Sequence, residues 1–215
     1  MKVGIIGAGT MGSGIAQAFA QVDGYEVCLC DINEEFASNG KLKISKNFEK
    51  RVAKGKMAKE DADKILARIH TGVKTICSDC DLVVEAAIEN MEIKKQTFKE
   101  LAAICKSDCV FATNTSSLSI TEIGAGLDRP VIGMHFFNPA PVMKLVEVIR
   151  GAHTSDETCA TVTELAKAKL ALRYHCVRPA LSTDKTISLK GVSHPQVAEE
   201  LAERGEQFTA LELEL

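Results

Sequence analysis

The segment from Val3 to Gly12, with the sequence VGIIGAGTMG, constrains the fold more than any other part of the chain. An apolar run that can form a buried strand leads directly into glycines spaced G-x-G-x-x-G, and amphipathic helix residues follow. The first glycine of such a unit permits a tight turn, the second lets the backbone approach a phosphate, and the third lets the helix pack on the sheet. Amide groups of the first helical turn then face the bound anion. The segment therefore predicts a dinucleotide-binding loop with these cofactor contacts: Gly7, Gly9, Thr10, Met11 and Gly12.

A second apolar run, from Glu26 to Cys30, ends at Asp31, nineteen residues after Gly12. At about this distance a dinucleotide-binding unit carries an acidic residue that accepts hydrogen bonds from the adenosine ribose. Because a carboxylate repels a 2′-phosphate and no arginine follows it immediately, Asp31 favours NAD over NADP. The alternative is a purely structural glycine turn, with an aspartate that caps the next helix.

Alternating strand and helix signals continue along the chain and predict an α/β fold, a doubly wound and mostly parallel sheet of the Rossmann type. Further strands are expected at residues 81–87, 109–113 and 129–135, and a helix from about 93 to 105. Ligands bind outside the carboxyl ends of such strands. The turn from Asn114 to Ser117 and the strand-end His135 should therefore face the same crevice as the glycine loop.

Between residues 34 and 70 a lysine-rich segment predicts a helical hairpin inserted into this sheet domain. Its apolar residues at helical spacing are Phe36, Ile44, Phe48, Val52, Ala62, Ile65, Leu66 and Ile69. We expect one domain over residues 1–172 and a divergent tail over 173–215, with one helix in the tail from Pro195 to Gln207.

A net charge of −3 gives no electrostatic reason to expect nucleic acid or an anionic membrane as a partner. The first strand begins at the N-terminus and no apolar run reaches the length of a membrane span, so we expect a cytoplasmic protein. The eight cysteines suit that compartment as small buried side chains. Cys77 and Cys80 form a C-x-x-C, for which a redox or zinc role is the alternative, but no second pair follows and no metal is predicted.

Four blocks of the chain resemble the short-chain 3-hydroxyacyl-CoA dehydrogenases, in particular the bacterial 3-hydroxybutyryl-CoA dehydrogenases. They are GAGTMG at 7–12, DLVVEAAIEN at 81–90, NTSSLSIT at 114–121 and, the most specific, MHFFNPAPVMKLVE at 134–147. The resemblance covers about residues 1–165. It implies an NAD-dependent enzyme that interconverts an (S)-3-hydroxyacyl-CoA and a 3-oxoacyl-CoA.

The same resemblance implies roles for individual residues. His135 matches the family histidine that takes the proton of the 3-hydroxyl, Glu147 the glutamate that orients it, and Ser116 the serine that hydrogen-bonds the substrate oxygen. The positions that match the nicotinamide and ribose end of NAD are Glu89, Lys94, Asn114, Ser116 and Asn138. Those that match the coenzyme A contacts on the hairpin are Asn47 and Lys54. Taken singly, each has a structural alternative: a satisfied strand-end histidine, a helix-capping serine, or a solvated charge.

After about residue 168 the resemblance ends. We expect the family's second, all-helical domain to be absent, and with it a catalytic asparagine and the dimer interface. NAD binding should then persist while turnover is weak, and the exposed apolar face should favour a homo-oligomer. Two functions stay open: a 3-hydroxyacyl-CoA dehydrogenase and a module that binds NAD without turnover.

Overall fold

The computed structural model describes residues 1–173, 188–192 and 211–214. By its internal contacts the chain divides into Met1–Leu172 and Arg173–Leu215. The strands of the first unit are β1 (Lys2–Ile6), β2 (Glu26–Cys30), β3 (Ile69–Gly72), β4 (Leu82–Glu85), β5 (Val110–Thr113), β6 (Val131–Phe136) and β7 (Val146–Arg150). Its helices are α1 (Thr10–Ala20), α2 (Glu34–Ala53), α3 (Lys59–Ala67), α4 (Met91–Ile104), α5 (Ile120–Ile123) and α6 (Asp156–Arg173).

These strands form one seven-stranded sheet in the order β3-β2-β1-β4-β5-β6-β7. All neighbours pair in parallel except β6 and β7, which are antiparallel. The strand order reverses between β1 and β4, so the carboxyl ends of these two strands mark the switch point at which doubly wound sheets bind ligands. The predicted Rossmann-type α/β fold is confirmed.

Each face of the sheet has its own apolar core. One core packs side chains of α1, α2 and α6 against the sheet, among them Ile15, Phe48 and Val162. The opposite core includes Phe98 of α4, Ile123 of α5 and six cysteines. Because helices cover both faces, the central strands are apolar almost throughout, as parallel strands must be.

Side chains that accept hydrogen bonds from first-turn amides fix where several helices begin. Asn33 accepts from the Phe36 amide at the start of α2, and Asn90 accepts from the Ile93 amide at the start of α4. Each such cap satisfies a backbone donor that the helix itself leaves free.

The expected hairpin differs from the structure at its second arm. α3 ends at Ala67, and Ile69 begins the edge strand β3, where it pairs with Val27. In sequence Ile69 continues the helical spacing of Ile65, but pairing with β2 buries it to 1% exposure. β7 is likewise absent from the strands expected from the sequence.

In the second unit, β8 (Ser188–Val192) and β9 (Leu211–Glu214) pair antiparallel. The helix expected over 195–207 lies outside the described residues. None of the helices in the described part of the chain combines the length and the apolar character needed to cross a bilayer.

Candidate active site

The glycine loop between β1 and α1 has the three properties that its sequence predicts. Gly7 has φ +98°, a left-handed conformation that favours glycine. A Cβ on Gly12 would lie 1.7 Å from the Gly7 carbonyl oxygen, whereas one on Gly9 would meet no protein atom within 4 Å. Gly12 is therefore required for packing, while the space beside Gly9 is open to a ligand. With the start of α1 adjoining it, the loop fits a dinucleotide pyrophosphate.

Asp31 lies at the carboxyl end of β2 and contacts this loop directly. Its Oδ2 accepts a hydrogen bond from the Ala8 amide at 2.6 Å, and its Oδ1 accepts one from the Ile32 amide at 2.7 Å. Asp31 also lines an open cleft of about 670 Å³ whose apolar side chains include Ile88 and Ile93. A carboxylate beside an apolar cleft suits an adenosine, with its ribose near Asp31 and its base on the apolar walls.

A second cleft, of about 330 Å³, lies on the other side of Ala86 and Ala87, which line both. It brings together most of the predicted residues at the nicotinamide end. Its lining includes Met11, Glu89, Lys94, Asn114, Ser116, His135 and Asn138. The shared residues directly follow β4, so the two clefts adjoin beside the switch point between β1 and β4.

His135 and Glu147 face each other across the antiparallel pair of β6 and β7. The His135 Nδ1 lies 2.9 Å from the Glu147 Oε2, and the imidazole is 17% exposed. The carboxylate thus fixes the ring orientation and leaves Nε2 available to exchange a proton with a ligand.

Asn114 supports this pair from the end of β5. Its side-chain Oδ1 accepts a hydrogen bond from the Phe136 backbone amide at 2.8 Å, and its backbone amide donates to the Glu85 carbonyl oxygen at 2.7 Å. Asn114 thereby ties the end of β6, next to His135, to the centre of the sheet.

Behind the cleft lies a buried ion pair, of which the sequence predicts only one member. Lys94 Nζ lies 2.8 and 2.9 Å from the two carboxylate oxygens of Glu85, and these side chains are 1% and 0% exposed. Thr113 and the Ala87 amide also donate to Glu85. Lys94 was expected here, but Glu85 was not. The available signal was an acidic residue at the end of an apolar strand, where the carboxyl edge of the sheet lies.

Glu89 holds the turn that carries Ser116. One carboxylate oxygen accepts hydrogen bonds from the Ser116 and Ser117 amides at 3.0 and 3.3 Å and from the Thr115 hydroxyl. Its other oxygen lies 3.3 Å from Lys94 Nζ. Burial works to raise the pKa of Glu89, but the bonds from Thr115 and Ser116 and the Lys94 ammonium outweigh it and lower the pKa to about 2.

The residues matched to coenzyme A contacts occupy different places on α2. Asn47 donates to Gln17 Oε1 at 2.9 Å and lines a cleft of about 210 Å³, together with Thr10 and Asn138. Because Asn138 also lines the cleft of His135, the two clefts adjoin. Lys54 is exposed and lies farther along, at the C-cap of α2.

Cys77 and Cys80 are both buried, and the Cys77 Sγ lies 3.4 Å from the Cys30 Sγ. Contact with the Cys30 thiol, together with burial, raises the pKa of Cys77, so its thiol stays protonated. Within the described residues, no group of three or more His, Cys, Asp or Glu side chains is placed to hold a metal ion.

Comparison with known proteins gives the family. Residues 2–171 match the family model of the 3-hydroxyacyl-CoA dehydrogenase, NAD binding domain. A 3-hydroxybutyryl-CoA dehydrogenase of Clostridioides difficile is 49% identical over 171 residues, which cover 78% of this chain and 60% of that protein. The chain thus spans about three fifths of the length of this curated relative.

Solved structures agree. The (S)-3-hydroxybutyryl-CoA dehydrogenase of Ralstonia eutropha superposes with a TM-score of 0.75 at 43% identity, covering 78% of this chain and 60% of that one. For a 3-hydroxybutyryl-CoA dehydrogenase of Escherichia coli the TM-score is 0.76 at 41% identity, covering 79% and 36%. The resemblance found in the sequence is confirmed: the chain belongs to the 3-hydroxyacyl-CoA dehydrogenase family and carries its NAD-binding domain.

Proposed function

We propose that this chain catalyses the NAD-dependent interconversion of an (S)-3-hydroxyacyl-CoA, with 3-hydroxybutyryl-CoA as the substrate, and the corresponding 3-oxoacyl-CoA. One observation carries the proposal. The His135 and Glu147 side chains lie 2.9 Å apart at the cleft that adjoins the dinucleotide loop. A domain that only binds a dinucleotide has no need of an acid-base pair there.

In the oxidation, His135 Nε2 takes the proton of the substrate 3-hydroxyl. Glu147 holds the ring and stabilises the imidazolium that results. Ser116 is exposed on its turn and donates a hydrogen bond to the same substrate oxygen. NAD, when bound, supplies the acceptor for the hydride that leaves C3.

The cofactor is assigned to the residues that line the path between the two clefts. Amides of the glycine loop, at Gly9, Thr10, Met11 and Gly12, take the pyrophosphate, and Asp31 takes the adenosine ribose. At the other end Glu89, Lys94, Asn114 and Asn138 surround the nicotinamide ribose. Supporting this assignment, Ala86 and Ala87 line both clefts.

The acyl-CoA is assigned to the side of α2. Asn47 lines the cleft that adjoins the site of His135, and Lys54 lies about two helical turns beyond it. A lysine in that position suits a CoA phosphate because its ammonium is a mobile point charge.

A second candidate function is NAD binding without turnover, since the family model that matches residues 2–171 is that of the NAD binding domain. Self-association is proposed through the apolar side chains exposed between β6 and β7 and on β7, which are Val142, Met143, Leu145 and Ile149. The cytoplasmic location and the absence of a nucleic-acid partner stay predictions.

The test follows NADH oxidation with acetoacetyl-CoA in the wild-type chain and in His135→Ala. His70→Ala is the matched control, because His70 also lies 2.9 Å from a glutamate, Glu26, on the far side of the sheet. The dehydrogenase proposal requires turnover that is lost in His135→Ala and kept in His70→Ala. NADH binding without turnover in any variant would establish the second function instead.

A further inference from the structure

Two carboxylate side chains at the back of the cleft share the ammonium group of one lysine. Lys94 Nζ lies within 2.9 Å of both oxygens of Glu85 and 3.3 Å from an oxygen of Glu89. We call Glu85, Lys94 and Glu89 the charged trio. Two carboxylates and one ammonium leave it with a formal charge of −1.

The excess charge lies on the side of the trio that faces the cleft. Glu85 is fully buried, and its two bonds to Lys94 neutralise the ammonium from behind. Glu89 is 39% exposed and lines the cleft itself. Hydrogen bonds from the Ser116 and Ser117 amides stabilise its ionised form, in agreement with its lowered pKa.

Few other charges compete with the trio in this cleft. Of its lining residues, Glu89, Lys94 and His135 are the titratable ones, and Glu147 lies behind His135. A neutral imidazole leaves the Glu147 charge negative as well, which adds to the effect of Glu89 rather than cancelling it.

This negative charge matters for a cofactor whose two forms differ in charge. Oxidised NAD carries one positive charge on its nicotinamide ring and reduced NAD does not, while the ribose, pyrophosphate and adenine groups are the same in both. We propose that the charged trio shifts the relative affinity of the site toward the oxidised cofactor. This proposal rests on the proposed function, which assigns the nicotinamide end of NAD to this cleft.

The size of the effect follows from Coulomb's law. The interaction of two unit charges about 8 Å apart changes an affinity by roughly threefold to thirtyfold, when the effective dielectric constant of the site lies between those of a protein surface and water. By linkage, a tenfold preference for the oxidised form lowers the reduction potential of the bound couple by about 30 mV. The trio thereby makes bound NADH a stronger hydride donor than it would be in the same site without the excess charge.

The test measures two dissociation constants in each protein and needs no turnover. NADH is titrated by its fluorescence, and NAD is titrated by competition with NADH. In Glu89→Gln the ratio of the NAD constant to the NADH constant should rise by threefold to thirtyfold. A hydrogen bond that Glu89 makes to the ribose affects both constants alike, so its loss cancels in the ratio.

Two further variants sharpen the result. Glu85→Gln also neutralises the trio but touches no ligand, and should shift the ratio in the same direction. Asp108→Asn removes an equal charge from a side chain that is 75% exposed and precedes β5, at the end of that strand away from the cleft, and should leave the ratio unchanged. If its melting curve shows that Glu85→Gln does not fold, Glu89→Gln still tests the inference, because the Glu89 side chain is partly exposed and its replacement leaves no buried charge unpaired.

Equal weakening of both constants in Glu89→Gln would overturn the inference and leave Glu89 as a ribose contact only. A ratio shift of the same size in Asp108→Asn would overturn it too, because the effect would then be one of overall charge. Failure of the wild-type chain to bind either form would instead refute the proposed function.

Discussion

Gly7 and Gly12 lie in direct contact across the turn that joins β1 to α1. A Cβ on Gly12 would come 1.7 Å from the Gly7 carbonyl oxygen, well inside any real atomic contact. The turn and the helix start therefore form one packed unit, whose shape depends on a missing methyl group. Gly9, in the same loop, has no such neighbour.

This contrast predicts opposite behaviour for two alanine variants. Gly12→Ala should lower the free energy of unfolding by about 1–3 kcal/mol or more, because the backbone must move to admit the methyl group. Gly9→Ala should cost only about 1 kcal/mol or less, for the loss of glycine at the N-cap of α1, since φ −69° suits alanine and the space is open. It should nevertheless weaken NADH binding by tenfold or more, as its methyl group occupies the ligand's space. Urea unfolding and NADH fluorescence titration check both. Equal NADH affinity of Gly9→Ala and wild type would contradict the assignment of this loop.

Asp31→Asn tests the choice of cofactor. The carboxylate should accept ribose hydroxyls and repel a 2′-phosphate, so its neutral replacement should raise the ratio of NADPH to NADH affinity by about tenfold or more. Because Asp31 also accepts from the Ala8 amide, a small loss of stability should accompany the change. Asp23→Asn, at an exposed aspartate, provides the control for overall charge. An unchanged ratio in Asp31→Asn would show that Asp31 only braces the loop.

Glu147→Gln tests the acid-base pair. If Glu147 orients His135 and stabilises its cationic form, the variant should lower kcat for acetoacetyl-CoA reduction by about tenfold to a thousandfold and leave KM nearly unchanged. Glu26→Gln alters the other histidine-glutamate pair, at the same 2.9 Å separation, and should leave kcat unchanged. A similar fall in both variants would point to a loss of folded protein rather than of catalysis.

Lys94→Met tests the buried ion pair. It leaves the Glu85 carboxylate buried and without its ammonium, which should cost about 3–5 kcal/mol of unfolding free energy. Lys59→Met breaks an exposed pair with Asp63 at the same 2.8 Å distance, and should cost less than about 1 kcal/mol. Chemical denaturation of the three proteins gives both values. Similar costs for the two pairs would mean that water reaches Lys94.

The lowered pKa of Glu89 makes its contribution to stability depend on pH. Its carboxyl group titrates near 4.5 when unfolded and at about 2 when folded, so the stabilisation is present above pH 4.5 and is lost as pH falls toward 2. Glu89→Gln should therefore differ most from wild type in melting temperature at neutral pH, begin to converge with it below pH 4.5 and match it near pH 2. A difference that stays constant between pH 7 and pH 3 would contradict this assignment.

Much of the fold follows from the sequence because its strongest signals are local. The glycine spacing, the position of Asp31 and the apolar runs of β4 and β5 each predict structure without knowledge of the rest. β3 was missed because Ile69 keeps the helical spacing of Ile65, and only pairing with β2 reveals a strand. β7 was missed because an exposed edge strand lacks a continuous apolar run.

The site was harder to predict because its interactions join distant segments. The family resemblance gave Glu89 and Lys94 as candidates, and the position of His135 at the end of a strand gave that residue. No local pattern shows that Lys94 is buried, since lysine at a helix surface is usually solvated. That Glu85 neutralises it, and that Glu89 holds the turn of Ser116, depends on how α4 packs beside β4 and β5.

The cross-strand register of His135 and Glu147 also separates two properties that proteins often have to change together. Their distance is set by the hydrogen-bonded ladder of β6 and β7, and not by the connection over residues 137–145. Substitutions or insertions in that connection can therefore reshape the walls around a ligand while the proton-transfer geometry stays constant. Such a chain can change its ligand preference through this connection without altering the spacing of His135 and Glu147.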